Sequence, residues 1–157
     1  MRTITTIGNG MEKDLSDFIE KCLSEEFKKR NIGLYSKQCG PGLGAIMIFK
    51  SSDMLINVIN DKSVLDITLG TINDKKKSWD LYLIKSYFDF KNNSDTKDKK
   101  ERRKVLIFNW DCEQSAKFLL ENFDKIDGLF KEDKYNETKK ELEIIKRERG
   151  KLMWTKN

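Results

Sequence analysis

Residues 39–50 read CGPGLGAIMIFK, from Cys39 to Lys50, and hold three of the nine glycines and the sole proline of the chain. Two readings compete: a loop that cradles a phosphate, or a corner between strands. A nucleotide-hydrolase phosphate loop needs Gly-Lys-Ser/Thr at the mouth of a helix, where backbone amides and the helix dipole meet the anion. Here Gly44 opens into the β-prone run Ala45-Ile46-Met47-Ile48-Phe49, and no lysine follows until Lys50. The GxGxxG-before-helix pattern of dinucleotide folds is missing too. Pro41 suits the second position of a type II turn and Gly42 the third. We therefore read the stretch as a corner joining two strands.

Outward from that corner the period stays at two. Residues 34–38 and 45–50 form the first hairpin, Ser51-Ser52-Asp53 leads to a strand over 54–59, and residues 60–63 (NDKS) turn into a strand over 64–69. Leu65, Ile67 and Leu69 alternate with Val64, Asp66 and Thr68, which makes one face apolar and the other mixed. Such short connections require antiparallel neighbours, since parallel ones need a crossover of a dozen or more residues. The expectation is an antiparallel β-meander of about four strands.

Helices flank the meander. Over residues 11–30, Met11, Leu15, Phe18, Ile19, Cys22, Leu23 and Phe27 recur at three- and four-residue steps, an amphipathic helix beginning near Asn9 or Gly10. Asn31 and Gly33 follow its end, where a left-handed residue is commonly needed. Ser78 is positioned to cap a helix carrying Trp79, Leu81, Tyr82, Ile84 and Phe88. Residues 105–110 read equally as a strand or a helix start. Ala116, Leu119, Leu120, Phe123, Ile126, Leu129 and Phe130 form one stripe, and Tyr135, Thr138, Leu142, Ile145, Arg149 and Leu152 another within a helix over about 132–154. The short link 131–133 makes these two an antiparallel helical hairpin. The fold class expected is α+β: a meander with helices packed on one face, an N-terminal helix and a C-terminal helical hairpin, all in a single domain over 1–157.

The 157 residues contain no histidine, which removes serine triads, Cys-His dyads and histidine-based zinc sites. Cys22, Cys39 and Cys112 are widely spaced and odd in number, as for reduced thiols. The opening MRTITTIGNGMEKD carries no long apolar segment of a secretory signal, and the longest apolar run, 43–49, is too short to span a bilayer, so we expect a cytoplasmic protein. Asp61 and Asp66, with Lys62 nearby, are the one carboxylate pair to weigh as an acid/base or metal site. Asn-Asp-Lys-Ser is also an ordinary turn, and Cys39 has no histidine to activate it. No cofactor or metal is expected.

The net charge of +5 is localised. Residues 91–104, KNNSDTKDKKERRK, carry seven basic and three acidic side chains, and the rest of the chain is nearly balanced. The run reads as a solvated, flexible basic loop; it lacks the interleaved aromatics that stack on bases, which argues against a nucleic-acid partner. Residues 111–133 carry seven acids against three bases, whereas 134–151 carry seven bases against four acids. Either the acidic stretch steers a basic partner or neighbouring helices neutralise one another. The aromatic stripe of Trp79, Tyr82, Tyr87 and Phe88 reads mostly as core, but Tyr87 falls on another side from Trp79 and Tyr82, so at least one is expected to face solvent as an anchor. Asp61, Trp79, Tyr82, Tyr87, Glu113, Glu121 and Asp124 are the candidate partner-binding residues, the aromatics as such anchors and the acids as the charged surface.

In sum these segments are familiar. GAIMIFKSSDMLINVINDKSVLDITLG (44–70), the tryptophan-led SWDLYLIKSYF (78–88) and FLLENFDKIDGLFKEDKYNETKKELEIIKRERGKLMW (118–154) resemble small bacterial immunity proteins encoded beside polymorphic toxins, including those of contact-dependent growth inhibition. The resemblance covers about residues 33–154 and rests on the Asn-Asp turn, the Trp helix and the closing hairpin. It implies a non-enzymatic protein without cofactor that binds the C-terminal domain of one cognate toxin and blocks its active site or its access to substrate. It carries over no interface residues. Immunity proteins against nucleases are often acidic, whereas this chain is basic; the resemblance then requires a local acidic patch such as 111–133, or a toxin that is not a basic nuclease. The alternative is a nucleic-acid-binding accessory protein using residues 97–104.

Overall fold

A computed structural model describes residues 2–40, 44–92 and 110–154, with backbone alone for 2–9, 92 and 154. The basic run is described only at Lys91 and Asn92, which close a helix; the remainder of 91–104, residues 105–109 and the turn tip 41–43 lie outside the described residues. The chain runs α1 (Arg2–Cys22), α2 (Ser24–Lys29), β1 (Gly33–Gly40), β2 (Gly44–Ser51), β3 (Met54–Asp61), β4 (Val64–Thr71), a 3-10 turn (Ile72–Asp74), β5 (Trp79–Asp80) and α3 (Leu81–Asn92). After the undescribed stretch come α4 (Cys112–Glu121), α5 (Phe123–Leu129) and α6 (Tyr135–Trp154). The sheet is an antiparallel meander in the order β1-β2-β3-β4-β5, and the architecture is α+β.

The hairpin turns follow from local stereochemistry. Asp61 pairs with Val64, and the two residues between them, Lys62 and Ser63, both have positive φ (52° and 70°), the twist-matched two-residue geometry. Ser51 pairs with Met54 across a turn in which Ser52 takes φ 51°. At the opening corner Gly40 pairs with Gly44, and Gly44 has φ +70°. A Cβ there would sit 2.1 Å from the Asn60 carbonyl oxygen. Only glycine lets β2 start that close to β3.

Registration puts Ala45, Met47, Met54, Ile56, Val58, Ile67 and Leu69 on one face, inside one contiguous apolar cluster. The α1 helix lies against β1, β2 and β3, and α3 and α4 against β4. Leu15, Phe18, Ile19, Leu23 and Phe27 all point into that cluster, as their spacing requires. The helical stretch does not begin at Asn9 or Gly10: α1 extends back to Arg2. At the other end, Asn31 takes the left-handed conformation (φ 59°); Ile32 N–H donates to the Phe27 carbonyl (2.8 Å) and Asn31 N–H to that of Lys28 (3.2 Å). This is a Schellman ending, and Ile32 buries itself beside Phe27.

The helix expected over 11–30 is two, α1 and α2, divided at Leu23, and three further boundaries differ from the sequence expectation. Trp79 and Asp80 form a fifth strand against Leu69 and Thr68, so the helix starts at Leu81, and Asp80 in place of Ser78 supplies the cap by accepting from Leu83 N–H (2.7 Å). The stripe over 116–130 is two helices, because Asn122 (φ −116°, ψ 20°) breaks it and turns its amide onto the Phe118 carbonyl. The last helix begins at Tyr135, not at 132. Its stripe faces inward as expected: Tyr135, Thr138, Leu142 and Ile145 are buried, and Arg149 forms a two-toothed ion pair with Asp80 (3.1 and 3.3 Å). Asp111 and Gln114 close the capping box that begins α4. Among the described residues no helix is long and apolar enough to cross a membrane.

Candidate functional site

Three separated segments meet at one end of the sheet: the β2–β3 turn, the 3-10 turn leaving β4, and the link from α5 into α6. Each docks by hydrogen bonds. Asp53 accepts from the backbone N–H of Glu132 (3.0 Å), Lys131 reaches Ser52 (3.3 Å), and Ser51 donates to Asp127 (3.3 Å). Between them lies a cavity of about 450 Å³. Asp53 and Thr71 contribute from the sheet, Asn73 and Asp74 from the 3-10 turn, and Phe130 and Glu132 from the link. Tyr135, Asn136 and Lys139 complete it from the first turns of α6.

Part of this lining is internally satisfied. The Trp79 indole donates to the Tyr135 hydroxyl (3.3 Å), which donates to Asp74 Oδ2 (2.9 Å); Lys139 Nζ stands 2.9 Å from the same oxygen. Lys139 and then the Tyr135 hydroxyl hold the Asp74 carboxyl below its ordinary range, and Asp74 in turn raises Lys139. Burial pushes Tyr135 up to about 12. At neutral pH the trio is therefore carboxylate, ammonium and neutral phenol, a fixed arrangement with no group poised to exchange a proton.

The rest is unspent. Among the described residues the Asn73 and Asn136 amides and the Glu132 carboxylate have no side-chain partner, and the Thr71 hydroxyl, on a residue 4% exposed, has none either. Among the lining residues three carboxylates (Asp53, Asp74, Glu132) stand with one ammonium, already committed. Lys77 also acts on Asp74 from outside the lining but is paired with Glu143, so the lining is negative and rich in acceptors. Among the described residues no three Cys, Asp or Glu side chains converge as metal ligands.

None of the residues singled out from sequence lines this cavity. Trp79 (2% exposed) and Tyr87 (4%) are core, which corrects their reading as surface anchors: Trp79 is locked under the helices by its strand pairing and by Tyr135, and Tyr87 lies in the same apolar cluster. Tyr82 is half-buried and donates to the Trp110 carbonyl (2.5 Å). Asp61 is exposed at the far end of β3. Glu113, Glu121 and Asp124 are exposed but paired: Glu113 with Lys21 (2.9 Å), Asp124 with Arg30 (2.9 Å), Glu121 with Lys117 (3.8 Å). Arg30 also stacks over the Phe123 ring at 4.5 Å. The acidic stretch is thus laced to α1 and α2. Such surface pairs contribute little stability, but they take the edge off any negative field there.

Asp61 and Asp66 share the sheet face away from the core as diagonal neighbours. Burial raises the Asp66 carboxyl, and its Oδ1 accepts from Ile67 N–H (2.8 Å). The thiols are unreactive by environment. Cys39 Sγ lies 3.5 Å from Glu12, which raises it; Cys22 is raised by burial, and burial pushes Cys112 up to about 12. Glu12 itself is anchored by Lys37 and stays charged.

Sequence reasoning missed the cavity because its residues were read one segment at a time. Asp53 and Glu132 were turn and link residues, and Tyr135 was one more apolar position. The signal available was an excess of polar side chains in the connections 51–53, 72–77 and 131–136. Nothing local says that they converge. Set against family models, curated proteins and solved structures, the chain matches none of them.

Proposed function

We propose that the protein is a cytoplasmic immunity protein that neutralises a bacterial toxin by binding its C-terminal domain, without turnover and without a cofactor. The observation that carries the reading is the acceptor-rich cavity. Its Glu132, Asn73 and Asn136 side chains stand at an open rim with their hydrogen-bonding capacity unused, while the neighbouring Tyr135–Asp74–Lys139 trio is rigid and locked in its protonation states. Unspent acceptors on a stiff support suit recognition of a charged surface and not proton transfer. The resemblance of residues 33–154 to immunity proteins supports the same reading. The cavity also gives a second route past the basic net charge: the negative feature offered to a basic partner is this recess, and the paired acids of α4 and α5 are not needed for it.

The test is co-expression. The protein, produced together with the toxin encoded beside it, should rescue growth and co-purify with the toxin's C-terminal domain in equal amounts. Failure to protect against every adjacent toxin, or hydrolysis of nucleic acid by the purified protein alone, would overturn the proposal.

A further inference from the structure

We infer that the cavity between the β2–β3 turn, the 3-10 turn and the start of α6 is a guanidinium site, filled in the complex by an arginine side chain of the toxin. This rests on the immunity reading for the source of the arginine but not for the chemistry of the site. A volume of about 450 Å³ is in the range of small-ligand pockets. Three carboxylates with one committed ammonium repel anions. The unspent groups are mostly oxygen acceptors: the Glu132 carboxylate, the second oxygen of Asp53, and the amide oxygens of Asn73 and Asn136. They come from three segments around a rim. A compact ammonium cannot meet all of these at once, whereas the planar five-donor fork of a guanidinium reaches several from one position. Phe130 (0% exposed) and Tyr135 (7%) underlie the cavity as buried apolar residues and stiffen its floor. Tyr135 is held neutral and Asp74 charged, so the site keeps its negative character throughout the neutral range.

The experiment titrates the full-length, isotope-labelled protein with Nα-acetyl-arginine methylamide and follows amide signals by NMR. Lysine and glutamate analogues of the same backbone serve as controls. The arginine probe should shift the side-chain amides of Asn73 and Asn136 and the backbone amide of Glu132, saturating with a Kd on the order of millimolar. The lysine analogue should bind at least severalfold more weakly and the glutamate analogue not at all. Glu132→Gln, an exposed change that leaves the Asp53 contact to the backbone intact, should weaken the probe severalfold with unchanged circular dichroism. No saturable shift, shifts centred elsewhere, or equal binding of the lysine analogue would overturn the inference.

A second arm identifies the source. Glu132→Arg fills the site with its own guanidinium and should weaken toxin binding on the order of tenfold or more. Toxin affinity unchanged in Glu132→Arg would remove the toxin's arginine from the cavity while leaving the immunity reading standing. Probe binding by a wild-type protein that binds no toxin would do the reverse, keeping the guanidinium site and discarding the immunity reading.

Discussion

Substitution of Gly44 by alanine tests why CGPGLGAIMIFK is a corner. Gly44 has φ +70°, and an added Cβ would lie 2.1 Å from Asn60 O, 3.2 Å from Asn60 C and 3.3 Å from Asp61 Cα. All three are backbone atoms of a paired strand, so no side chain can swing aside. A left-handed conformation costs an L-residue about 1–2 kcal/mol. Relieving the overlap by shifting β2 from β3 adds about 1–3 kcal/mol, as for other overpacked sites. The expected loss is then about 2–5 kcal/mol, out of a stability on the order of 5–15 kcal/mol, or a fall in Tm of roughly 4–20 °C. Gly40→Ala is the control, since it lies across the pairing from Gly44 but meets nothing within 4 Å and has no positive φ. It should be neutral or stabilise by up to about 1 kcal/mol. Urea unfolding followed by far-ultraviolet circular dichroism measures both. A Gly44→Ala loss below about 1 kcal/mol, or one matched by Gly40→Ala, would refute the steric argument.

Asp80 both caps α3 and grips Arg149, so Asp80→Ala should cost about 1–3 kcal/mol, and Asp80→Asn, which retains the capping oxygen, clearly less; equal losses in urea unfolding would discount the cap. The folded-state pKa of Asp66 is raised by burial, so its contribution to stability is present at acid pH and is lost as the pH rises through that raised value. Asp66→Asn keeps an acceptor for Ile67 N–H and should raise Tm at neutral pH, with the advantage shrinking on acidification; an advantage that grows toward acid would contradict this. Glu12 keeps the exposed Cys39 thiol protonated, so iodoacetamide should alkylate Cys39 faster in Glu12→Gln at neutral pH, while Cys112 stays unmodified until unfolding. Peptide mass mapping reads both, and an unchanged Cys39 rate would dismiss the Glu12 contact.

What the chain determines unaided is written in its local periods. Alternation in 44–71 sets both the strands and the face that each buries, because a one-residue slip would turn Ile56, Val58, Ile67 and Leu69 away from the core. The three- and four-residue steps of α1 and α6 likewise name their inward residues. Asn31 ends α2 for a reason visible in its side chain, its tolerance of positive φ. The rest depends on contacts between distant segments. A two-residue strand such as β5 has no period, and only its partners Thr68 and Leu69 make it one. Trp79 and Tyr87 look the same in sequence whether buried or exposed, and packing under α6, at Tyr135 and Glu141, decides. The acids of 111–133 find Lys21 and Arg30, 92 and 94 residues away, and so lose the prominence that counting charges gave them. The cavity is the extreme case: it exists because the turn at 51–53 docks on 127–132 through bonds spanning 76 to 79 residues, and a pattern confined to neighbours along the chain holds no record of that closure.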